Sequence, residues 1–333
     1  MSNQQSAGKA AEVSAAPVRI GIDLGGTKIA GVALGSGDRL LAERRMATPR
    51  EDYAATVATI ADCVFALEME AGAEAGTATV GLGMPGSLAP KTGLVQNANS
   101  TWLNGRPLDR DLSAALGRPV RLANDANCFA LSEATDGAAV GAHTVFGVIL
   151  GTGCGGGIVR FGRLIDGPRG IGGEWGHNPL PWPQLAADEV PGPLCWCGRQ
   201  GCMETWVSGP ALAGDHARAT GRAMSGEGIA AAAAAGDRAA RDTLDRHAGR
   251  LARGLAHVVN IVDPDVIVLG GGLSGLSHLY DVLPALVARH VFADPHEVVI
   301  CPPRWGDASG VRGAARLWPV DGGEQTTRRE PCC

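Results

Sequence analysis

The chain has 333 residues, 45% of them apolar, enough to bury more than one large core and to predict two domains. Its formal charge is only −5 and Lys and Arg form no block, which argues against nucleic acid or a membrane surface as partner; no apolar run is long enough to span a bilayer. Nine cysteines, an odd number, follow a start (MSNQQSAGKAAEVSAAP) without the basic and apolar stretches of a secretory signal, so reduced thiols and a cytoplasmic location are expected.

Residues 1–17 read as a disordered tail. From residue 18, VRIGIDLGGTKIAGVALGSGDRLLAE alternates β-branched runs with glycine turns and predicts a three-strand meander. Apolar residues at helical spacing predict a helix over 52–70, TATVGLGMPG predicts a buried strand, and Pro107 can open a short helix to Leu116. PVRLANDAN then runs from a strand into a helix, which completes an α/β unit. At residue 145 the opening pattern returns: VFGVILGTGCGGGIVRFGRLIDG repeats strand, glycine turn, strand, short turn and strand, laying Gly25–Gly26–Thr27 over Gly151–Thr152–Gly153. The repeat predicts two similar lobes across a cleft, where a ligand would bind near the strand ends. A helix over about 237–262 places Leu244, Leu251, Leu255, Val258 and Val262 near one face and stops before Pro264. VIVLGGGLS reads as a buried strand running into glycines, and residues 320–333 as a loose tail.

Three glycine-rich turns follow strands: DLGGTK, GTGCGGG and LGGGLS. Each alone is compatible with an ordinary tight turn, and none matches the P-loop or the dinucleotide fingerprint; together they point to backbone nests for phosphate oxygens. In LANDAN, Asn124 or Asp125 suits a helix cap, and Asp125 equally suits a base that accepts a proton from a sugar hydroxyl. Glu174 and His177 in GGEWGHNPLPW have the chemistry to bind vicinal hydroxyls. Cys195, Cys197 and Cys202, with His177 as a nitrogen donor, are compatible with a tetrahedral zinc site; free reduced thiols are the alternative.

DLGGTKIAGVAL, GLGMPGSL, LANDANCFALSEA, ILGTGCGGGIV, GEWGHNPLPW and CWCGRQGCMETWVSG together resemble the ROK family of bacterial sugar kinases and related repressors, over about residues 18–319. ExGH combined with CxCGxxGCxE is highly specific, and GEWGHNPLPW with GDASGVRGAARLWP is most similar to the fructokinase branch, whose members also take mannose or glucose. The resemblance implies a two-lobed actin-like ATPase fold of the ribonuclease H-like, hexokinase type. One lobe would span 18–135, joined by a helix at about 308–318, and the other 136–307. It implies transfer of phosphate from ATP with Mg²⁺ to the primary hydroxyl of a hexose, fructose first, then glucose, mannose or an N-acetylhexosamine, by a homodimer. By resemblance Asp125 matches the catalytic base; Asn124, Glu174, His177 and Glu204 match sugar ligands, with Asn99 and Ser87 nearby. Gly25, Gly26, Thr27 and Lys28 match one phosphate loop and Gly151, Thr152 and Gly153 the other. Gly270, Gly271 and Gly272 match the turn beside the nucleotide, and Asp23 the acid near magnesium. His177, Cys195, Cys197 and Cys202 match the ligands of a structural zinc. A repressor of this family would carry a helix-turn-helix domain ahead of the first glycine loop, for which seventeen residues are too few.

Overall fold

The computed structural model describes residues 18–293 and 297–318; the tails expected at 1–17 and 320–333 lie outside them. Strands β1 (Arg19–Leu24), β2 (Lys28–Leu34) and β3 (Leu40–Ala47) form the predicted antiparallel meander. Helix α1 (Tyr53–Glu70), capped by Asp52 accepting from the Ala55 N–H at 2.9 Å, crosses to β4 (Thr79–Met84), which lies parallel to β1. A small hairpin of β5 (Ser87–Leu88) and β6 (Val95–Gln96) follows; α2 (Leu108–Leu116) then leads to β7 (Val120–Asn124), parallel to β4. The first sheet has the order β3-β2-β1-β4-β7.

Helix α3 (Asp125–Thr135) connects to the second sheet, which opens with the antiparallel strands β8 (Thr144–Leu150), β9 (Cys154–Arg160) and β10 (Arg163–Leu164). Helices α4 (Glu204–Val207), α5 (Gly209–Thr220), α6 (Gly226–Ala234) and α7 (Arg238–Val262) precede β11 (Val266–Gly270). Then come α8 (His278–Ala288), β12 (Ile300–Cys301) and α9 (Ser309–Ala315). The order is β10-β9-β8-β11-β12, with β11 parallel to β8 and β12 parallel to β11. Position by position this is the topology of the first sheet. The turn 25–27 between β1 and β2 corresponds to the turn 151–153 between β8 and β9, so the repeat expected from the sequence is present in the backbone.

Two helices lie between the sheets, and glycines decide how closely. A Cβ at Gly21 would come 2.0 Å from the Val311 carbonyl oxygen, and one at Gly81 1.9 Å from that of Ala314, so α9 rests directly on β1 and β4. On the other side, a Cβ at Gly157 would come 2.6 Å from the Ala126 oxygen, which sets α3 on β9. Helices α3 and α9 touch at Gly313, whose Cβ would meet the Cys128 oxygen at 1.7 Å. Phe129, Ala130, Leu131, Val145, Val268 and Ala314 form an apolar core around this stack, distinct from the core of each lobe. The first turn of α3 thereby faces the cleft between the lobes. No helix among the described residues is long and apolar enough to cross a membrane.

Candidate active site

Strand β7 ends at Asn124 and α3 begins at Asp125 without a connecting loop. The Ala126 N–H is shared by Asn124 Oδ1 at 2.9 Å and Asp125 Oδ1 at 2.8 Å, while Asn124 Nδ2 donates to the Gly86 oxygen at 3.2 Å. Asn124 is therefore the helix cap, which settles one reading of LANDAN, and Asp125 follows it with its carboxyl at the cleft. A cavity of about 290 Å³ opens there, bounded by Asn99, Asn124, Asp125, Gly151, Thr152, Gly153, Glu174, His177 and Glu204. Nine predicted residues, drawn from both lobes, thus meet around one space. Gly86, Asn97, Cys154 and Trp196 complete much of its wall.

Three carboxyls in this region, Asp125, Asp23 and Glu174, hold their protons more tightly than they would in water. Asp125 is held above the ordinary range by burial, against the lowering effect of the Ala126 N–H and the Asn124 side chain. Asp23, at the end of β1 beside the cavity, is pushed up to about 7, chiefly by burial and then by the charge of Asp125; Lys28 opposes the shift and Asp307 adds to it. Glu174 is raised by burial, with His177 pulling it down and Asp125 and Glu204 pushing it up. Buried acids, with Lys28 the cation that offsets the charge of Asp23, make a place suited to a divalent cation. Glu204 is held at both oxygens: Oε2 accepts from the Cys154 N–H at 3.0 Å and Oε1 from Trp196 Nε1 at 2.7 Å.

His177, Cys195, Cys197 and Cys202 place one donor atom each within 4.8 Å of one another. His177 Nδ1 lies 3.6 Å from Cys195 Sγ, and the Cys197 and Cys202 sulfurs are 3.6 Å apart. A tetrahedral zinc with Zn–S bonds of about 2.3 Å needs sulfurs about 3.8 Å apart, whereas a disulfide needs about 2 Å. The donor set fits zinc, and with Nδ1 turned to the sulfurs the other ring nitrogen, Nε2, is left for the cavity. The segment between His177 and Cys195 is tied down by Glu189, which accepts from Arg250 Nε at 2.9 Å and from Arg253 Nη2 at 2.7 Å. Both arginines are buried on α7.

The remaining predicted residues lie nearby or elsewhere. Gly271, at φ +77°, packs against the end of β8, where a Cβ would meet the Leu150 oxygen at 2.5 Å; the turn of Gly270, Gly271 and Gly272 is therefore adjacent to that of Gly151–Gly153. Gly25, Gly26, Thr27 and Lys28 form the β1–β2 turn, closed by the Gly25 N–H donating to the Lys28 oxygen at 2.9 Å and held by Thr48 Oγ1 on the Gly25 oxygen at 2.8 Å. Ser87 does not line this cavity: its hydroxyl accepts from Nε2 of Gln96, its partner in the β5–β6 pair, at 3.1 Å, and it lines a neighbouring hollow that shares Asn124. Trp196 and Asp307 went unassigned in the sequence, although CWC and GDASG contain them.

Residues 19–320 match the ROK family. The chain is 40% identical over 303 residues to the N-acetyl-D-glucosamine kinase of Escherichia coli, covering 90% of this chain and 99% of that one. Among solved structures it is similar to the ROK hexokinase of Thermus thermophilus (36% identity, TM-score 0.78, 90% and 96% of the two chains). It is also similar to a ROK family glucokinase of Streptomyces griseus in complex with glucose and AMPPNP (30% identity, TM-score 0.73, 90% and 98%). A match over nearly all the described residues, on a duplicated fold with its interlobe cavity, leaves one assignment: the chain belongs to the ROK family.

Proposed function

We propose that the protein is an ATP-dependent hexose kinase whose preferred sugar is N-acetyl-D-glucosamine. The observation that carries the reading is the 40% identity to an N-acetylglucosamine kinase along 99% of that enzyme, on a chain whose hydroxyl-binding candidates converge on one cavity. Fructose, the first expectation from the sequence, is the second reading, supported by GEWGHNPLPW. A cytoplasmic homodimer belongs to the same reading.

Phosphoryl transfer asks the protein mainly for positioning and charge. Asn99, Asn124, Glu174, His177 and Glu204 would hold the sugar hydroxyls, with Glu204 already fixed at both oxygens before sugar arrives. Asp125 would accept the proton of the primary hydroxyl as that oxygen bonds to the γ-phosphorus and the bond to the ADP oxygen breaks. Burial raises its proton affinity, which suits a base, provided the site is in its ionised form. The turn N–H groups of Gly151–Gly153 and of Gly25–Lys28 would face phosphate oxygens. Mg²⁺, near which Asp23 would stand, would supply neutralisation of phosphate charge when bound. Zn²⁺, if bound, would be held by His177, Cys195, Cys197 and Cys202 and would supply a structural cross-link.

The test is an ADP-release assay with ATP, Mg²⁺ and a panel of N-acetylglucosamine, N-acetylmannosamine, glucose, mannose and fructose. The highest kcat/KM is expected for N-acetylglucosamine; a highest value for fructose selects the second reading. Asp125→Asn should keep sugar binding measurable by calorimetry while turnover drops about 10²–10⁴-fold. Retention of most of the wild-type rate would refute the role of Asp125.

A further inference from the structure

Trp196 stands between two cysteines of the metal donor set, and the phosphoryl-transfer scheme makes no use of it. Its side chain is 61% exposed, yet it borders the cavity and is fixed at two points. The indole Nε1 donates to Glu204 Oε1 at 2.7 Å, and the ring meets His177 edge to face, with centroids 5.0 Å apart at 84°. Glu204 Oε2 takes the Cys154 N–H at 3.0 Å, and on Oε1 the Cys195 sulfur stands 4.0 Å away, so Trp196 supplies the one short anchor on that second oxygen. With one anchor gone, the carboxylate could turn about its terminal bond and lose its aim into the cavity. An indole exposed beside polar groups also offers a flat apolar wall, which matches the C–H face of a pyranose ring.

We propose that Trp196 is the positioning residue of the sugar pocket: it locks Glu204 against rotation, relays the order of the metal loop to that carboxylate, and presents its ring to the bound sugar. The last part rests on the hexose reading of the cavity. Loss of a hydrogen bond to a charged acceptor is expected to weaken binding by about tenfold or more. Since the sugar is held by Glu204 before and during transfer alike, the loss should fall on KM and leave kcat near its wild-type value.

The experiment uses full-length protein labelled at its seven tryptophan indoles, with the variants Trp196→Phe and Glu204→Gln. The indole N–H resonance missing from Trp196→Phe identifies Trp196. It should shift in Glu204→Gln without any sugar, and again in wild type on adding N-acetylglucosamine. Trp196→Phe should bind this sugar about tenfold more weakly by calorimetry, with unchanged metal content by elemental analysis and unchanged KM for ATP. An unmoved resonance in Glu204→Gln overturns the anchor itself. Wild-type sugar affinity in Trp196→Phe overturns the role in the pocket. Wild-type protein that binds no sugar of the panel overturns the hexose reading, and with it the wall, while the Glu204→Gln shift still decides the anchor separately.

Discussion

Replacing Asp23 by Asn should stabilise the metal-free protein, and only above about pH 4, where the unfolded chain gives up the Asp23 proton. Burial, the charge of Asp125 and that of Asp307 raise the Asp23 carboxyl from 3.8 to about 7, against the opposing effect of Lys28. In the unfolded chain it titrates near 4. Below that pH both states hold the proton and Asp23 carries no penalty. Between about 4 and 7 the unfolded chain releases it while the folded protein keeps it, so stability falls by about 1.4 kcal/mol per pH unit. Above about 7 both states are ionised and the loss, about three units' worth, levels off near 4 kcal/mol. Asparagine has no proton to lose. Urea unfolding of Asp23→Asn and wild type in Mg²⁺-free buffer should converge as the pH is lowered to about 3 and separate by up to about 4 kcal/mol at pH 8, the variant being the more stable. Added Mg²⁺ should narrow the gap by stabilising wild type. A variant equal to or weaker than wild type at pH 8, or a difference independent of pH, would show that Asp23 is not the strained acid described.

Gly81→Ala drives a methyl group into the Ala314 carbonyl and should cost about 3 kcal/mol or more in urea unfolding; unchanged stability would mean that α9 does not rest on β4. Glu189→Gln removes the carboxylate from Arg250 and Arg253, whose side chains are 4% and 5% exposed, and should cost about 3–5 kcal/mol by thermal melting monitored by circular dichroism. Cys197→Ser should lower bound zinc by elemental analysis and weaken N-acetylglucosamine binding while the affinity for ATP stays unchanged; wild-type sugar affinity in metal-depleted protein would separate the loop from the pocket.

What could be read from the sequence was carried by local signals. Glycine turns between β-branched runs located β1, β2, β8 and β9, and their recurrence at residue 145 matched the duplicated topology. Features made by distant partners were not legible. Apolar spacing on α7 located Leu244, Leu251 and Leu255 but could not show that Arg250 and Arg253 are buried beside them, because their carboxylate lies 61 and 64 residues away in the chain. The pairing of β5 with β6, two residues each, is too short to leave a periodic trace, so the Gln96 partner of Ser87 could not be read. Asp307 acts on Asp23 only because α9 is brought back across the first sheet by glycines at 21 and 81.

The turn at 151–153 shows how one backbone device serves two ends. Read as sequence, its glycines are a phosphate nest, since small residues let N–H groups approach an anion. In the fold a Cβ at Gly153 would lie 2.7 Å from Glu204 Oε2, the same oxygen that accepts the N–H of Cys154, the next residue. A side chain at 153 would therefore have to push the Glu204 carboxylate off the Cys154 N–H, whether or not a phosphate is present. The consequence is that the turn proposed to face ATP and the carboxylate proposed to hold the sugar are in direct contact, one hydrogen bond apart. Through Trp196 that carboxylate reaches on to the cysteine loop, so nucleotide turn, sugar ligand and metal loop form one connected piece of structure. Asp125 belongs to the same piece: at the head of α3 it precedes Ala126, whose oxygen lies 2.6 Å from where a Cβ on Gly157 of β9 would stand, so the distances between these groups are set by short contacts around the second sheet.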